Sequence, residues 1–295
     1  MHFHFDFARR WKVWFAFSGT LVVIAVLALT LRGLNYGIDF TGGTQMDLKF
    51  SHAVTETAIS KTMAIQRTGM PQIVFLGKGH REALITTPTI SERQRLHVLQ
   101  ALQKHVAPFK EISTSRVSSI IGQQTERTAL VAVLLATIGI ILYIGFRFEF
   151  RFAISAIIAL VHDVLITVGL IALIHISLSQ YFVMAVLTIF GYSVNDTIII
   201  FDRIRENLQH QKRNESLEPL VNRSLNQVLV RSINTSSTVL LALGAILIFG
   251  GSTIKDFAST MLIGVFLGTY SSIFIASPVW LLWRQRRPGA EARTA

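Results

Sequence analysis

Residues 152–175 read FAISAIIALVHDVLITVGLIALIH, a run in which Asp163 is the only residue charged at neutral pH. An α-helix needs about 20 apolar residues to cross the roughly 30 Å of hydrocarbon in a bilayer. The run is long enough, and it predicts a transmembrane helix. The composition of the chain agrees, because 51% hydrophobic and 15% charged residues are too apolar for an ordinary soluble enzyme of 295 residues.

Five further apolar runs predict five more spans, which gives six transmembrane helices in all. The run Trp14–Leu31 follows Arg9, Arg10 and Lys12, and we interpret it as an uncleaved anchor because it is longer than a signal-peptide core. A polar stretch at 32–127 separates it from the others. The remaining four runs are Ala129–Phe146, Phe182–Phe201, Ser232–Phe249 and Phe257–Trp283.

Lysine and arginine mark one end of every predicted span. The turn at 176–181 has no basic residue, and the turn at 250–256 has only Lys255. Because basic residues accumulate in cytoplasmic segments, both termini are predicted inside and the stretch 32–127 outside. The net charge of +11 then reflects topology rather than nucleic-acid binding. The inner basic residues are Arg147, Arg151, Arg203, Arg205, Lys212, Arg213, Arg223, Arg231, Arg284, Arg286 and Arg287.

The outward stretch predicts a small α+β domain. Alternating apolar residues indicate strands, and a 3.6-residue apolar period indicates helices. Ser91 and Gln94 have the spacing of a capping box at the start of the second helix. The order strand-helix-strand-strand-helix-strand is that of a ferredoxin-like module. The predicted elements are the strands Thr44–Phe50, Gln72–Leu76, Glu82–Thr87 and Glu111–Val117, the helices Thr55–Gln66 and Glu92–Val106, and a Gly77-Lys78-Gly79 turn.

The predicted domain organisation has four parts. Residues 1–31 form the cytoplasmic N-terminus and first helix, 32–127 the external ferredoxin-like domain, 128–284 a five-helix bundle, and 285–295 a cytoplasmic tail. We predict no metal or cofactor, because the chain has no cysteine and its external histidines lack ligand-like spacing. We also predict no enzymatic activity. The external domain serves either as a contact for a partner or passing substrate, or as a structural cap.

Two carboxylates fall inside predicted spans. Asp163 lies near the middle of its span beside His162, and Asp196 lies between the midplane and the cytoplasmic end of the next span. A charged side chain near the centre of a span costs about 2.5–3.5 kcal/mol on insertion scales, so such residues indicate function. Asp196 is the candidate for proton coupling. The His162–Asp163 pair is open to two interpretations, a proton relay or a hydrogen bond between helices.

Polar residues on neighbouring turns accompany Asp196. Tyr192 shares a helix face with Asp196 and is predicted to hydrogen-bond it, and Asn195 adds polarity nearby. In the next span a polar stripe descends from the cytoplasmic end, and its Arg231 is predicted to reach Asp196. Burial disfavours a charged carboxylate and a nearby arginine favours it, so the pair suits a switch; a static pair that fixes helix packing is the alternative. The stripe consists of Arg231, Asn234, Thr235 and Thr238.

Small residues recur at every fourth position of the last span. Gly264, Gly268 and Ser272 form a small-xxx-small stripe, which allows another helix to approach closely. The stripe predicts helix packing rather than chemistry, against a partner inside the chain or in another subunit.

Five short segments are spread over nearly the whole chain: NYGIDFTGG at 35–43, VHD at 161–163, GYSVND at 191–196, DRIREN at 202–207 and FGG at 249–251. In order, spacing and membrane position they resemble the SecD/SecF family of protein-export membrane proteins, which is related to the resistance-nodulation-division transporters. The glycines of the first segment are interpreted as structural, with Asp39 as the cap of a helix or turn.

The resemblance implies a function and a set of partners. The chain would be a SecF-like subunit of the inner membrane, in contact with membrane lipids and paired with SecD, which supplies six further spans. It would use the proton gradient to drive its periplasmic domain and assist preproteins that pass through SecYEG after SecA has acted. The family's essential aspartate falls on Asp196 and its intramembrane arginine on Arg231. The resemblance implies no cofactor.

Two other functions fit parts of the pattern. A small-molecule efflux half-transporter has the same six-span plan, but fewer than about a hundred external residues do not easily enclose a drug-sized cavity. A non-transporting scaffold that stabilises the translocon would use its intramembrane charges for packing alone. Perturbation of Asp196 discriminates the scaffold from a proton-coupled subunit.

Overall fold

The structure, a computed structural model, describes residues 5–66, 68–76, 79–211 and 215–285, with Ser252 and Thr253 described by their backbone alone. The chain folds into two compact units. The α/β unit comprises Tyr36–Ala132 and Ser177–Gln180, and the helical unit comprises the rest of the chain. Several features predicted from the sequence lie outside the described residues: Gly77, Lys78, Lys212, Arg213, Arg286, Arg287 and the tail from 286 onward.

Long helices dominate the described chain, and a short α/β insertion interrupts them. A π-helical turn, Ser272–Ala276, breaks the last span into two α-helices. In chain order the elements are α1 (Trp11–Arg32), β1 (Asn35–Tyr36), α2 (Ile38–Thr41), β2 (Gly43–Phe50), α3 (Glu56–Ile65), β3 (Gln72–Leu76), β4 (Glu82–Thr87), α4 (Glu92–His105), β5 (Phe109–Val117), α5 (Ser119–Arg147), α6 (Phe150–Leu173), β6 (Ser177–Leu178), α7 (Gln180–Gln209), α8 (Leu217–Phe249), α9 (Ser252–Ser271) and α10 (Ser277–Gln285).

Six helical stretches of the described residues are long and apolar enough to cross a membrane. They are α1, α5, α6, α7, α8 and the stretch that runs from α9 through the π-turn into α10. Five of them contain one of the runs predicted from the sequence, and α6 covers all of the run 152–175 except its last two residues. The predicted α-helical membrane fold with six spans is therefore confirmed.

The helices extend beyond the apolar runs that predicted them. The segment 202–231, predicted as an inner loop, is mostly helix, because α7 continues to Gln209 and α8 begins at Leu217. The loop prediction is wrong because hydropathy marks the part of a helix that lies in hydrocarbon, whereas a helix continues while it has an apolar face to bury. Ile204 and Leu220 supply that face, and neither has exposed surface.

The α/β unit is a four-stranded antiparallel sheet whose buried side packs against α3 and α4. The strand order β3-β4-β2-β5 confirms the predicted ferredoxin-like module. The capping box is also confirmed: the Ser91 N–H donates to Gln94 Oε1 (2.9 Å) and the Gln94 N–H donates to Ser91 Oγ (3.3 Å). The fully buried core side chains are Met46, Leu48, Ile59, Met63, Ile85 and Leu102.

Close backbone contacts fix the glycine-rich segment before β2. Gly42 has a φ of +72°, which residues with a Cβ rarely adopt. A Cβ added at Gly122 in α5 would lie 2.6 Å from the carbonyl oxygen of Phe40, so a larger residue does not fit there. Asp39 accepts a hydrogen bond from the backbone N–H of Gln180 (2.9 Å) and caps the start of α7, in agreement with its predicted role.

The small residues of the last span pack against α7 of the same chain. A Cβ added at Gly268 would lie 3.1 Å from the Cα of Ser193, and Gly264 faces the same helix. The hydroxyl groups of Ser272 and Thr197 lie 2.8 Å apart. The stripe therefore serves contact between two spans within the subunit.

Replacement of Gly268 by valine would force α9 and α7 apart. We expect Gly268→Val to lower the free energy of unfolding by about 1–3 kcal/mol, the usual cost of overpacking. Gly139→Val in α5 is the matched control, since no atom lies within 4 Å of a Cβ added there. Thermal unfolding of the purified protein measures both, and equal midpoints would contradict the packing role of Gly268.

Candidate functional site

Two aspartates are buried within the spans of the helical unit. Asp163 on α6 has no exposed surface, and Asp196 on α7 is 7% exposed. An ionised carboxylate in such a place needs hydrogen-bond donors or a counter-ion. The two sites differ in how many donors they supply, and that difference separates their chemistry. The described residues contain no group of three His, Asp or Glu side chains able to hold a metal ion.

Asp163 is surrounded by donors from three helices. Its Oδ2 accepts hydrogen bonds from the hydroxyl groups of Ser193 on α7 (2.6 Å) and Ser271 on α9 (2.7 Å). Its Oδ1 lies 2.9 Å from Nδ1 of His162. Contacts to three polar groups satisfy much of the hydrogen-bonding capacity of this buried carboxyl group. Asp163 therefore acts as a hydrogen-bonded clasp that joins α6, α7 and α9.

This clasp lies next to the irregular part of the last span. Ser271 is the final residue of α9, and the π-turn begins at the following residue. Single π-turns inside α-helices frequently occur at functional sites. His162 Nε2 is buried and has no hydrogen-bond partner among the described residues. Asp163 makes the hydrogen bonds between helices that one interpretation of the pair predicts, and a proton relay through His162 and Asp163 stays a prediction.

Asp196 is held by a single donor. Its Oδ1 accepts a hydrogen bond from the hydroxyl group of Ser232 on α8 (2.7 Å). Its Oδ2 is buried and has no hydrogen-bond partner among the described residues. One neutral donor offsets little of the cost of burying a charge. The Asp196 carboxyl group therefore has fewer hydrogen-bond partners than the Asp163 carboxyl group.

The predicted contact between Arg231 and Asp196 is wrong within this chain. Arg231 is exposed, and it forms no ion pair with any described residue. The next residue, Ser232, faces Asp196 instead. Consecutive residues of a helix point about 100° apart, so the two side chains cannot both face α7.

The other polar residues predicted around Asp196 also lie elsewhere. Tyr192 makes no hydrogen bond to Asp196 in the described structure and packs, partly buried, against an apolar cluster. Asn195 is exposed on another face of α7. The residues of the polar stripe lie on one face of α8, as predicted, and that face is exposed. They are Arg231, Asn234, Thr235 and Thr238.

Sequence reasoning missed Ser232 and Ser271, and it did not connect Ser193 with Asp163. Ser193, Ser232 and Ser271 are buried and donate to the two aspartates. Each lies inside an apolar helix, where a buried hydroxyl group needs a partner. Serines inside apolar helices therefore indicate polar contacts between spans, but the sequence does not identify the acid that a given serine contacts.

Comparison with known proteins gives the family. The family described as protein export membrane protein SecD/SecF, C-terminal, matches residues 97–286, and the SecD/SecF GG motif matches residues 27–54. The chain belongs to the SecD/SecF family. In this SecD/SecF chain the GG motif covers the glycine segment that caps α7, and the larger match covers both buried aspartates.

Similar proteins include SecF and SecDF subunits. Protein translocase subunit SecF of Sebaldella termitidis is 39% identical over 282 residues, which cover 94% of this chain and 91% of the relative. The SecF of Alicyclobacillus acidocaldarius is 40% identical over 290 residues, 96% of this chain and 94% of the relative. The crystal structure of SecDF from Thermus thermophilus, a translocon-associated membrane protein, matches with a TM-score of 0.87 at 35% identity and covers 96% of this chain. This SecD/SecF chain spans 39% of that SecDF chain.

The clasp around Asp163 can be tested through one of its donors. Ser271→Ala leaves a buried carboxylate with one donor fewer, and we expect a loss of about 1–3 kcal/mol in the free energy of unfolding. Thr20→Ala is the control, because the exposed Thr20 hydroxyl group bonds only the Ala16 carbonyl of its own helix (3.0 Å). Chemical denaturation of the purified protein measures both. An equal stability of the two variants would mean that Ser271 does not hold the Asp163 carboxyl group.

Proposed function

We propose that the chain is the SecF-like subunit of a Sec translocase accessory complex, which works with SecD and uses the proton gradient to assist protein translocation across the cytoplasmic membrane. The match to SecF subunits over nearly their full length supports the assignment. The observation that carries the mechanism is the buried, singly bonded carboxyl group of Asp196. The role is transport without covalent chemistry.

Proton coupling follows from the surroundings of Asp196. A membrane-buried carboxyl group with one donor is neutral while it stays dry, and it releases its proton when helix movement brings it water or a cation. Alternation between these states couples proton passage to conformation. Asp163 is less suited to this cycle, because contacts to groups on three helices fix the position of its carboxyl group. Asp196 is the proposed proton carrier, with Ser232 as the group that orients it.

The exposed polar stripe on α8 supports SecD as the neighbour of this face. A guanidinium group at the depth of a span needs an acid or another polar partner. Within the described residues Arg231 has no ion pair, so the partner belongs to another subunit or another conformation. SecDF proteins of Thermus thermophilus and Bacillus subtilis, each of which is more than twice as long as this chain, support SecD as that subunit. The polar stripe of α8 is therefore the proposed SecD-facing surface, and Arg231 acts in proton coupling through this surface.

Topology and domain boundaries complete the proposal. The positive-inside pattern supports cytoplasmic termini and an α/β unit in the periplasm. The proposed parts are 1–31, the periplasmic domain 32–127, the bundle 128–284 and the tail 285–295. In this position the α/β unit meets preprotein that leaves SecYEG after SecA has acted, and membrane lipids surround the bundle.

Asp196→Asn tests the proposed coupling. Asparagine keeps the size and the contact to Ser232 but cannot release a proton, so we expect loss of the gradient-dependent gain in export. The measurement is preprotein export into membrane vesicles that contain SecD and this chain at matched levels, with and without an imposed proton gradient.

The matched control is Asp256→Asn, which removes a carboxyl group from the start of the last span. We expect this control to keep the gradient-dependent gain. If Asp196→Asn also keeps it while the complex with SecD assembles, Asp196 is a packing residue and the scaffold function replaces the proposal.

The SecD-facing surface can be mapped by cysteine cross-linking, because the chain has no cysteine of its own. We expect Thr235→Cys and Thr238→Cys to cross-link to single cysteines at the same depth in SecD. Ile233→Cys, exposed on the other side of α8, is the control and should give no SecD adduct. Cross-links from Ile233→Cys alone would place SecD on the opposite face of α8 and contradict the proposed SecD-facing surface.

A further inference from the structure

A large apolar groove lies in the helical unit, and neither Asp163 nor Asp196 is among the residues that line it. Its volume is about 880 Å³. The segment before α1, one side of α8 and the last span form its walls, and the lining includes Trp14, Leu240, Phe266 and Phe274. The volume is within the range of cavities that take drug-sized or larger amphipathic ligands.

The groove opens on the side of α8 opposite the polar stripe. At about 3.6 residues per turn, the step from Arg231 to Leu240 is about two and a half turns, which puts the two side chains on opposite faces. The polar face needs a protein partner, whereas the groove face is apolar and includes the exposed Phe266. An apolar face of a span that points away from its partner subunit meets lipid. The occupant favoured by this position is therefore an acyl chain rather than a SecD helix.

Stacked aromatic rings make the inner wall of the groove. The Phe274 ring lies 4.3 Å from the Trp14 ring and 4.9 Å from the Tyr270 ring, centroid to centroid. The Tyr270 hydroxyl group donates to the Trp14 carbonyl oxygen (3.2 Å). Trp and Tyr are typical of the boundary between headgroups and acyl chains. The wall thus has the character of a membrane interface.

The rim of the groove carries one acid and one base. Asp6 and Arg10 are both exposed and both line the opening. Asn226 holds the rim in place: its Oδ1 accepts from the Phe5 N–H (3.1 Å), and its Nδ2 donates to the Phe5 carbonyl oxygen (2.9 Å). Asn222 also accepts a hydrogen bond from this segment (2.8 Å). The rim therefore presents one negative and one positive side chain on a backbone segment that hydrogen bonds attach to α8, which suits a headgroup with one negative and one positive group.

We propose that this groove binds a phospholipid with a phosphoethanolamine headgroup. One acyl chain lies along the aromatic wall, the phosphate meets the Arg10 guanidinium and the ammonium meets the Asp6 carboxylate. The lipid belongs to the cytoplasmic leaflet. That choice of leaflet rests on the proposed function through its orientation, whereas the site itself does not depend on proton coupling.

Native mass spectrometry of the delipidated complex of SecD with the full chain tests the site, with phosphatidylethanolamine titrated in detergent. Leu240→Trp fills the groove, and we expect loss of one saturable bound lipid. Leu241→Trp is the matched control, since Leu241 is 74% exposed beside the groove and should keep that lipid. Unchanged binding in Leu240→Trp, or loss of SecD without loss of lipid, would overturn the proposal.

A headgroup variant tests the same site without a change in the core. Arg10→Ala should bind phosphatidylethanolamine about fivefold more weakly, the effect of one cationic side chain near a membrane surface. Arg9→Ala, exposed but outside the groove lining, should bind as tightly as the native chain. Phosphatidylglycerol should bind more weakly than phosphatidylethanolamine, and Asp6→Asn should remove this preference. Tighter binding of phosphatidylglycerol to the native complex would show an anionic lipid site and overturn the assigned headgroup. Because the readout is lipid binding, its failure is separate from a failure of Asp196→Asn in export.

Discussion

The cost of an unpartnered charge in hydrocarbon is the constraint on which the arrangement of the helical unit depends. It forces each buried carboxyl group either to collect donors or to carry a proton. Asp163 takes the first course, with two serine hydroxyl groups and the His162 ring around it. Asp196 has one donor, and its second oxygen has none among the described residues. The same residue type thus forms a clasp between helices in one span and a site with a single donor in the next, which is the site proposed for proton exchange.

The clasp in turn needs close helices, and small residues make that approach possible. Gly268 lets α9 come within contact of Ser193, so that a hydroxyl group from each helix reaches the same carboxylate oxygen. A bulky residue at this position would separate the donors from Asp163. The close packing of small residues in the last span therefore permits the hydrogen bonds that Asp163 of the third span accepts.

The sequence predicts most of this fold and less of the site. The bounds of β3 and β4 agree with those predicted, and in β4 buried side chains alternate with partly exposed ones, because only one face of that strand meets the core. Hydropathy finds the six spans, but it misses the helical ends at 202–231, which lie outside hydrocarbon. The predicted partner of Asp196 differs from the observed one by one residue, because Ser232 stands where Arg231 was predicted. Attraction between opposite charges suggests a pair, but the orientation of α8 about its own axis determines which side chain faces α7. Such a choice depends on packing between distant segments, which no local pattern contains.

Helix α8 relates the coupling site to its surroundings because it has three distinct faces. Ser232 faces Asp196, the polar stripe with Arg231 lies on the face proposed for SecD, and Leu240 lies on the face of the proposed lipid groove. Arg231 and Ser232 differ by about 100° around the helix, so rotation of α8 by about that angle would exchange a hydroxyl group for a guanidinium group beside Asp196. A cation at that place would favour the ionised carboxyl group and release its proton. A change in what SecD or lipid contacts on α8 would therefore alter the protonation of Asp196, which is the property that a proton-coupled subunit requires.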